Sequence, residues 1–286
     1  MSQRRLPGVD GEISRRSLFG GFLRDAIKPE IDYDSVTAKV RAGWDGSAPN
    51  APLMAALEPI AAVVVEAAEA EPGDRILDVG AGTGNVALAC SEAGAAVDAC
   101  DLSPRMVMAG LERTGQAIRW SQGDAAVLPY DDETFHTVVS SFGAAMAPRA
   151  RRTARELARV LRPGGRLVLT AWAPSSLPAE LDRLRAEVDP LPEGVRLPAD
   201  WGRSEVAHER LSPHFDDLQM RLHTAELRFE SAQDCWHALT RPLLLTGNQR
   251  GELRPRFDAL LEAQNDGAPA VELAARYLLV AGRRPE

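Results

Sequence analysis

Short apolar runs alternate with segments of helical periodicity between residues 75 and 172, and this alternation restricts the fold more than any other feature of the chain. The strand-like runs lie at 75–80, 96–101, 118–124, 136–142 and 166–172. Strands that are apolar throughout and separated by helices form a parallel sheet with helices on both faces. Right-handed crossovers make such a sheet doubly wound. The sequence therefore predicts an α/β fold built on a doubly wound sheet.

The pattern changes after Trp172. Residues 173–203 are rich in proline and glycine and contain one helical segment near 178–188, so they are interpreted as an irregular insertion. Further helical segments are predicted at 51–71, 204–215 and 232–265, and strands at 217–231 and 271–284. In the first of these strands Leu218, Met220 and Leu222 share one face, and Leu227 and Phe229 continue the pattern after a slip of one residue.

The overall charge argues against some partners. The net charge of −8 is unlike that of nucleic-acid-binding proteins, so no nucleic-acid partner is expected. Residues 12–28, in contrast, combine apolar residues at helical spacing with basic neighbours, which permits weak contact with a membrane surface; a helix that covers the protein body or an oligomer contact is the alternative. Three widely spaced cysteines and the lack of an apolar run of membrane-spanning length indicate a cytoplasmic protein.

A glycine-rich turn at 80–84 joins the first strand to a helix, which is typical of a nucleotide-like cofactor site. Its spacing is G-x-G-x-G, and Asn85 stands where the dinucleotide fingerprint G-x-G-x-x-G has its third glycine. The absence of G-K-[ST] excludes a P-loop. Asp78, just before the turn, suits a cofactor with a cationic ammonium group better than a pyrophosphate. A glycine turn without any ligand is the alternative.

Two more carboxylates end the following strands. Asp101 lies about 20 residues beyond the glycines, where a carboxylate binds ribose hydroxyls in NAD enzymes and adenosyl-sulfonium enzymes alike. It could also merely initiate the helix at Ser103-Pro104. Asp124, in Gly123-Asp124-Ala125, can accept a hydrogen bond from an adenine amino group. NAD enzymes have no fixed need for an acid there, so Asp124 favours an adenosyl sulfonium.

These motifs, in this order, resemble those of the class I S-adenosylmethionine-dependent methyltransferases. The resemblance is strong over about residues 70–172. PGDRILDVGAGTGNVAL resembles the first motif, VDACDLSPRMV the second, GDAAVLPYDDETFHTVVSSFGAAMAP the third and fourth, and ELARVLRPGGRLVLTAW the fifth. Within the class, the chain is similar to small-molecule enzymes near the ubiquinone/menaquinone C-methyltransferases.

The resemblance implies a Rossmann-like sheet of seven strands, the last of them antiparallel, with helical lid insertions. It divides the chain into an N-terminal extension or lid at 1–50, a core that binds S-adenosylmethionine at 51–175, and a part at 176–286 that completes the sheet and carries the substrate lid. The implied reaction is methyl transfer to a small organic acceptor, on carbon or oxygen, by in-line displacement. No metal site is expected.

The resemblance also assigns residues to the cofactor. Those expected to line the methionine part are Asp78, Gly80, Ala81, Gly82, Thr83 and Gly84. Those expected at the ribose and adenine are Asp101, Leu102, Asp124 and Ala125. Ser141, within Ser140–Phe142, is expected near the sulfonium. His136 stands where the family usually has aspartate, and we interpret it as a structural replacement rather than a catalytic residue.

The sequence does not identify a general base. His214 is a candidate because it precedes the strand at 217–231, although a structural role explains it better, as it does His208, His223 and His237. The expected lid pieces are 33–44, 173–203 and 232–265, and Trp44, Trp201 and Trp236 are expected at the acceptor or in the core. Two alternatives remain: a non-catalytic S-adenosylmethionine-binding protein, and an NAD(P)-dependent oxidoreductase, for which no Tyr-x-x-x-Lys pair is present.

Overall fold

A seven-stranded mixed sheet organises the protein, of which the computed structural model describes residues 30–265 and 270–286. The strands are β1 (Arg75–Val79), β2 (Ala96–Asp101), β3 (Ile118–Gln122), β4 (Phe135–Ser141), β5 (Leu161–Trp172), β6 (Asp216–Phe229) and β7 (Val271–Arg283). Their order is β3-β2-β1-β4-β5-β7-β6. The strands β1 to β5 pair in parallel, whereas β7 is antiparallel to both of its neighbours. The predicted Rossmann-like fold with an antiparallel last strand is confirmed.

Nine α-helices connect and cover the strands in the described part of the chain. They are α1 (Tyr33–Ser47), α2 (Ala51–Ala68), α3 (Asn85–Glu92), α4 (Pro104–Thr114), α5 (Ala150–Val160), α6 (Leu177–Val188), α7 (Ser204–Leu211), α8 (Ala232–Thr240) and α9 (Gly247–Glu262). Helix α4 shows the predicted start: Pro104 is its first residue, and the Ser103 side chain accepts a hydrogen bond from the Met106 N–H.

The core consists of two apolar layers, one on each face of the sheet. Successive strand residues point to opposite faces, so Ile76 belongs to one layer and Leu77 to the other. We call the layer that contains α2, α3, α6, α8 and α9 the front layer, and the layer that contains α5 and α7 the back layer. Both layers are needed because strands of a parallel sheet are apolar on both sides.

Helix α2 has the length and composition of a membrane span, with a mean hydropathy of 1.6, and is the one helix of this kind in the described part of the chain. Its buried residues, among them Ile60 and Val64, pack in the front layer. Pro59 lies inside the helix without ending it. The segment 12–28, for which a membrane-surface contact is predicted, lies outside the described residues.

The slip in the apolar pattern of β6 has a structural cause: its two halves pack on opposite faces of the sheet. Leu218 and Met220 pack against the back layer, whereas Ala225, Leu227 and Phe229 are buried in the front layer. The strand changes the face that it buries along its length. Leu222, which the pattern groups with Leu218 and Met220, is 54% exposed. The one irregularity in the ladder with β7 lies earlier, between Asp216 and Gln219.

The three largest differences between the predicted and the observed boundaries lie at β5 and in two helical regions. Strand β5 begins at Leu161 and not at 166. Phe135 pairs with Leu161 and Thr137 with Arg166, so the residues between Leu161 and Arg166, which include Pro-Gly-Gly, form a bulge. The helical region predicted at 204–215 ends at Leu211. The region predicted at 232–265 is two helices, separated by a 3-10 turn at Arg241–Leu243 and a new N-cap at Thr246.

Candidate active site

The candidate site is a cleft at the carboxyl ends of β1, β2 and β4. The chain leaves β1 toward β2 and β3 on one side, and β4 and β5 follow on the other side. Ligands of open α/β sheets bind at such a point, where the strand order reverses. The cleft is lined by the ends of these strands together with residues from α1, α2, α6, and the segment that joins α8 to α9.

The glycine turn after β1 forms the floor of this cleft. Gly80 and Gly82 have φ angles of +69° and +58°, which glycine adopts without a steric penalty. The N–H groups of Gly80 and Ala81 both donate to the Cys100 carbonyl, at 2.8 and 3.1 Å. A Cβ atom on Gly80 would lie 2.5 Å from the Cα of Gly143. The turn is therefore held against the loop that follows β4.

Asp78 is the most deeply buried carboxylate of the cleft, with 1% of its surface exposed. Its Oδ2 atom accepts a hydrogen bond from the Ala87 N–H at 3.0 Å, in the first turn of α3. Its buried Oδ1 atom has no partner among the described residues. Burial raises the pKa of Asp78 to about 7, against the effect of the Ala87 N–H, and the neighbouring Asp101 adds to the rise. The site would favour a cation here.

Asp101 ends β2 and is 9% exposed. One carboxylate oxygen accepts from the Gly82 N–H at 2.8 Å and the other from the Ser103 N–H at 2.9 Å. Burial raises the pKa of Asp101 to about 6, although both N–H groups favour the charged form. A carboxylate has about four lone-pair positions, so each oxygen retains acceptor capacity. Asp101 therefore both fixes the glycine turn and can bind hydroxyl groups.

The far side of the cleft begins at Asp124 and Ser141. The Asp124 Oδ1 atom accepts a hydrogen bond from the Ala126 N–H at 2.8 Å, which fixes the loop after β3.

After β4, Phe142 has a φ angle of +63°, a strained value for a residue with a bulky side chain. Its ring stacks on Trp172 at 4.0 Å between centroids, and its N–H donates to the Thr170 hydroxyl. Such strain is often found at functional sites.

Three further pieces of chain line the cleft, and each comes from one of the segments predicted to form the lid. Helix α1 contributes Val40 and Trp44, and the segment 173–203 contributes Pro178, Leu181 and Asp182, among others. The 3-10 turn at Arg241–Leu243 contributes Pro242 and Leu243. All of these side chains except Asp182 are apolar, so the outer part of the cleft has a mainly apolar lining.

Most residues assigned from the sequence meet in this cleft. Its lining includes Asp78, Gly80, Ala81, Gly82, Asp101, Leu102, Asp124, Ala125 and Ser141. Thr83 and Gly84 lie behind it. The Arg113 guanidinium donates to the Thr83 carbonyl at 3.4 Å, and a Cβ atom on Gly84 would approach the Trp120 ring to 2.9 Å. These two residues shape the turn and do not line its cleft surface.

The histidines lie elsewhere. His214 follows α7 and does not line the cleft; burial and Arg155 lower its pKa. His223 stacks on Tyr277 and lines a separate surface groove. His136 Nδ1 accepts a hydrogen bond from the Arg75 N–H at 2.9 Å, at the start of β1. The structure thus gives His136 a structural contact.

Of the three tryptophans considered for the acceptor, only Trp44 lines the cleft in the described part of the chain. Trp201 is 1% exposed in the back layer, where the Arg210 guanidinium lies 4.5 Å from its ring centroid. Trp236 is buried in the front layer against Phe257. These two rings pack in the core.

Two polar residues of the cleft were not expected from the sequence. Asn85, next to the glycine turn, donates from its side chain to the Met54 carbonyl at 2.7 Å and so ties α2 to the turn. Asp182 lies in the middle of α6. No motif includes it, and its one signal in the sequence is a carboxylate on the helix predicted within the insertion.

Comparison with known proteins identifies the family. A family model described as a methyltransferase domain matches residues 77–169. An uncharacterised protein of Mycobacterium tuberculosis is 32% identical over 263 residues, covering 87% of this chain and 92% of that protein. A demethylmenaquinone methyltransferase of Thermobifida fusca is 42% identical over 142 residues, covering 48% of this chain and 57% of that enzyme. The chain belongs to the class I S-adenosylmethionine-dependent methyltransferases.

Solved structures share the methyltransferase's fold. The YcgJ protein of Bacillus subtilis has a TM-score of 0.59 at 22% identity, over 79% of this chain and 98% of that one. Phosphoethanolamine N-methyltransferase 2 of Haemonchus contortus, in complex with phosphomonomethylethanolamine and S-adenosylhomocysteine, has a TM-score of 0.57 at 18% identity, over 86% of this chain and 60% of that one. At these identities the similarity concerns the fold.

Proposed function

We propose that this methyltransferase transfers the methyl group of S-adenosylmethionine to an uncharged, largely apolar small molecule by in-line displacement. The observation that carries the proposal is Asp78. It lines the cleft at the glycine turn, it is buried, and its Oδ1 atom has no hydrogen-bond partner in the described part of the chain. A buried acceptor without a partner costs about 1–3 kcal/mol. An ammonium group at this position would supply the missing donor.

The other carboxylates fit the remaining parts of the same cofactor. Asp101 has acceptor capacity left for ribose hydroxyls after its bonds to Gly82 and Ser103. Asp124 uses one oxygen to fix its own loop and would accept from the adenine amino group with the other. Leu102 and Ala125 line the cleft between them and would contact the adenine ring.

Bound S-adenosylmethionine would supply a methyl group already activated by its sulfonium, so the protein mainly has to position the acceptor. Orientation of two reactants can contribute roughly 7–11 kcal/mol to the lowering of a barrier. Phe142, held by Trp172 and Thr170, gives the wall beside Ser141 a fixed shape. The apolar lid residues keep water from the reacting atoms.

The charges of the cleft restrict the acceptor. Asp78, Asp101, Asp124 and Asp182 line it, and no Lys, Arg or His from residues 30–265 or 270–286 does. A phosphorylated or carboxylate acceptor would lie near Asp182 and would find no cationic side chain in the described cleft lining to pair with it. We therefore propose an acceptor without anionic groups, methylated on carbon or oxygen. We also propose a cytoplasmic location, which the three free, buried cysteines support.

Calorimetry tests the cofactor. Micromolar binding of S-adenosylmethionine and S-adenosylhomocysteine is expected, without comparable binding of NADH, and Asp101→Ala should abolish it. Binding of NADH alone would instead indicate an oxidoreductase. Unchanged affinity in Asp101→Ala would refute the role of that carboxylate.

Methyl transfer is then measured with radiolabelled S-adenosylmethionine and two acceptors. One is demethylmenaquinone in its reduced form, suggested by the name of the Thermobifida relative, and the other is phosphoethanolamine. Transfer to the uncharged acceptor and not to the phosphorylated one is expected. Efficient methylation of phosphoethanolamine would contradict the charge argument. Tight cofactor binding without transfer to any member of a wider panel of uncharged acceptors would favour a non-catalytic binding protein.

A further inference from the structure

The outer part of the cleft is apolar with one exception. Pro178, Ala179, Leu181, Ala199 and Pro242 surround the space beyond the cofactor residues. Among the described residues of this outer part, Asp182 is the one charged side chain. A charged group in an apolar wall is costly unless it has a partner or a role. The partners of Asp182 therefore decide what its carboxylate can offer to the cleft.

The hydrogen bonds of Asp182 are few and long. Its Oδ1 atom accepts from Nη2 of Arg185 at 3.4 Å, and its Oδ2 atom accepts from the Ala199 N–H at 3.3 Å. Its side chain is 16% exposed. Burial raises the pKa of Asp182 and Asp200 adds to the rise, although Arg185 and the Ala199 N–H oppose it. Each oxygen thus has lone pairs left to accept a proton or a hydrogen bond.

Arg185 is fixed on the side away from the cleft. Its Nη1 atom donates to the Asp189 carbonyl at 3.2 Å and lies 3.7 Å from an Asp189 carboxylate oxygen. Asp189 in turn pairs with Lys39 of α1 at 2.6 Å. The half-exposed Lys39 is thus linked through Asp189 and Arg185 to Asp182 in the cleft. Arg185 holds Asp182 in place within this network. The network also joins α6 to α1, two of the elements that line the cleft.

The charge of Asp182 is compensated by Arg185, so the carboxylate does not need an ammonium group from the acceptor. What it offers to the cleft is hydrogen-bond acceptor capacity beside an apolar surface. We propose that Asp182 binds the hydroxyl group of a phenolic or enolic acceptor and takes its proton during methyl transfer, and that Arg185 is its positioning residue. This inference rests on the proposed function and adds the acceptor's reactive group to it.

The step balances without another reactant. The acceptor oxygen, or the carbon conjugated with it, forms a bond to the methyl carbon. The bond from that carbon to the sulfonium sulfur breaks, and its electron pair stays on sulfur. The hydroxyl proton passes to Asp182, which later loses it to water. A carboxylate with a raised pKa is a better base for a phenol than an ordinary exposed one, because its basicity is closer to that of the phenol.

The probe for this role is 4-nitrophenol, whose phenol and phenolate forms absorb at different wavelengths. It is titrated spectroscopically while bound to the protein saturated with S-adenosylhomocysteine. Asp182 accepts a hydrogen bond from the phenol and repels the phenolate, so the pKa of the bound probe should exceed that of the free probe. In Asp182→Asn this pKa should fall by about one unit relative to the wild type, which means about ten-fold stronger relative binding of the phenolate.

The other charged groups near Asp182 define the control. Arg185 lies on its own helix and Asp200 on the neighbouring 3-10 segment, while Asp78 and Asp101 titrate in the cofactor part of the cleft. Asp200→Asn removes a neighbouring carboxylate that does not line the cleft. It should leave the pKa of the bound probe close to the wild-type value. Arg185→Gln should raise that pKa, and Arg185→Lys should restore it in part.

The outcomes separate the two proposals. If S-adenosylhomocysteine does not bind the wild type, the proposed function fails and this inference with it. If it binds but 4-nitrophenol does not, or if the probe titrates alike in the wild type and Asp182→Asn, the role of Asp182 is refuted alone. Loss of S-adenosylhomocysteine affinity in both Asp182→Asn and Asp182→Ala would show a structural role and would also refute it.

Discussion

Gly80 and Gly143 allow two loops to meet where no side chain fits. A methyl group on Gly80 would lie 2.5 Å from the Cα atom of Gly143, at a φ angle of +69°. We expect Gly80→Ala to destabilise the protein by about 2–3 kcal/mol and to abolish binding of S-adenosylhomocysteine, because both the backbone and the neighbouring loop must move. Urea denaturation and calorimetry measure the two effects.

Gly73 provides the matched control for that substitution. Its φ angle is +90°, but no described atom lies within 4 Å of the position of an added Cβ. Gly73→Ala should therefore cost only about 1 kcal/mol, from backbone strain, and leave cofactor affinity unchanged. Equal effects of the two substitutions would show that the contact between the loops is unimportant.

The buried Asp78 predicts how cofactor affinity depends on pH. Its raised pKa of about 7 means that the folded, ligand-free protein holds a proton there below neutrality. An ammonium group binds the ionised carboxylate, so that proton must leave on binding. Affinity for S-adenosylhomocysteine should rise between pH 5.5 and 8, with roughly a ten-fold change per pH unit well below the pKa for each proton released.

Calorimetry in buffers of different ionisation enthalpy counts the released protons. The Asp78→Asn variant should bind S-adenosylhomocysteine more weakly, and its affinity should depend less on pH. Asp101, whose pKa is about 6, still contributes to that dependence. In the ligand-free protein, pH affects stability in the opposite direction. Because folding raises the pKa of both carboxyl groups, these two groups reduce the free energy of unfolding as the pH rises from about 4 to about 7. An affinity independent of pH would contradict the assignment of Asp78.

The sequence predicts a residue well when its role is local. Asp78, Asp101 and Asp124 lie at or just after the ends of strands, and the carboxyl ends of parallel strands meet at one edge of the sheet. Asp182 could not be predicted in the same way, because its approach to the cleft depends on how the insertion folds back. The strained backbone of Phe142 had no signal either, since it follows from packing against Trp172 and Thr170.

Helix α1 packs against the 3-10 turn at Arg241–Leu243 through a glycine. A Cβ atom on Gly43 would lie 2.0 Å from the Pro242 carbonyl oxygen, whereas one on Gly46 of the same helix would meet no described atom within 4 Å. Gly43→Ala should separate the helix from the turn and open the cleft wall formed by Trp44 and Pro242. We expect a loss of at least about 2 kcal/mol of stability and weaker acceptor binding.

Gly46→Ala is the control in the same helix. Because alanine favours a helix over glycine by about 1 kcal/mol, this substitution should leave stability unchanged or raise it slightly. Thermal unfolding with and without S-adenosylhomocysteine compares the two variants. If Gly43→Ala is as stable as Gly46→Ala, α1 does not pack on the turn as described.

Regular elements could be predicted because each repeats a short pattern, and the exceptions have specific causes. The bulge at Pro163–Gly165 extends β5 toward α5, which the usual reading of Pro-Gly-Gly as a helix end does not anticipate. The helical region at 232–265 breaks at Pro242, and the capping box of Thr246 and Gln249 starts a new helix. Pro59 and Pro255, in contrast, lie within helices.

At the scale of the whole molecule, two leucines of β6 differ widely in burial. Leu227 is fully buried in the front layer, and Leu222 of the same strand is 54% exposed. Leu227→Ala should destabilise the protein by about 2–5 kcal/mol, because it removes buried apolar surface and leaves a cavity. Leu222→Ala should change stability by less than about 0.5 kcal/mol. Urea denaturation compares them, and similar midpoints would contradict the burial of Leu227.

The order of the seven strands could be predicted only through the resemblance to a family. Alternating strands and helices fix a parallel sheet up to Trp172, but they do not determine where β6 and β7 join it. The pairing of β7 with β5 depends on contacts between residues more than 100 positions apart, such as Trp172 with Tyr277. Local patterns carry no information on such contacts.

Strand β6 has a mechanical consequence for the molecule. Its first half is fastened to the back layer by Leu218 and Met220, and its second half to the front layer by Ala225, Leu227 and Phe229. Because one strand contributes to both layers, the loss of side-chain packing in one layer should also weaken the packing in the other. The amide hydrogens of the helices in the front layer and in the back layer should therefore exchange with similar protection, because the two layers open as one cooperative unit.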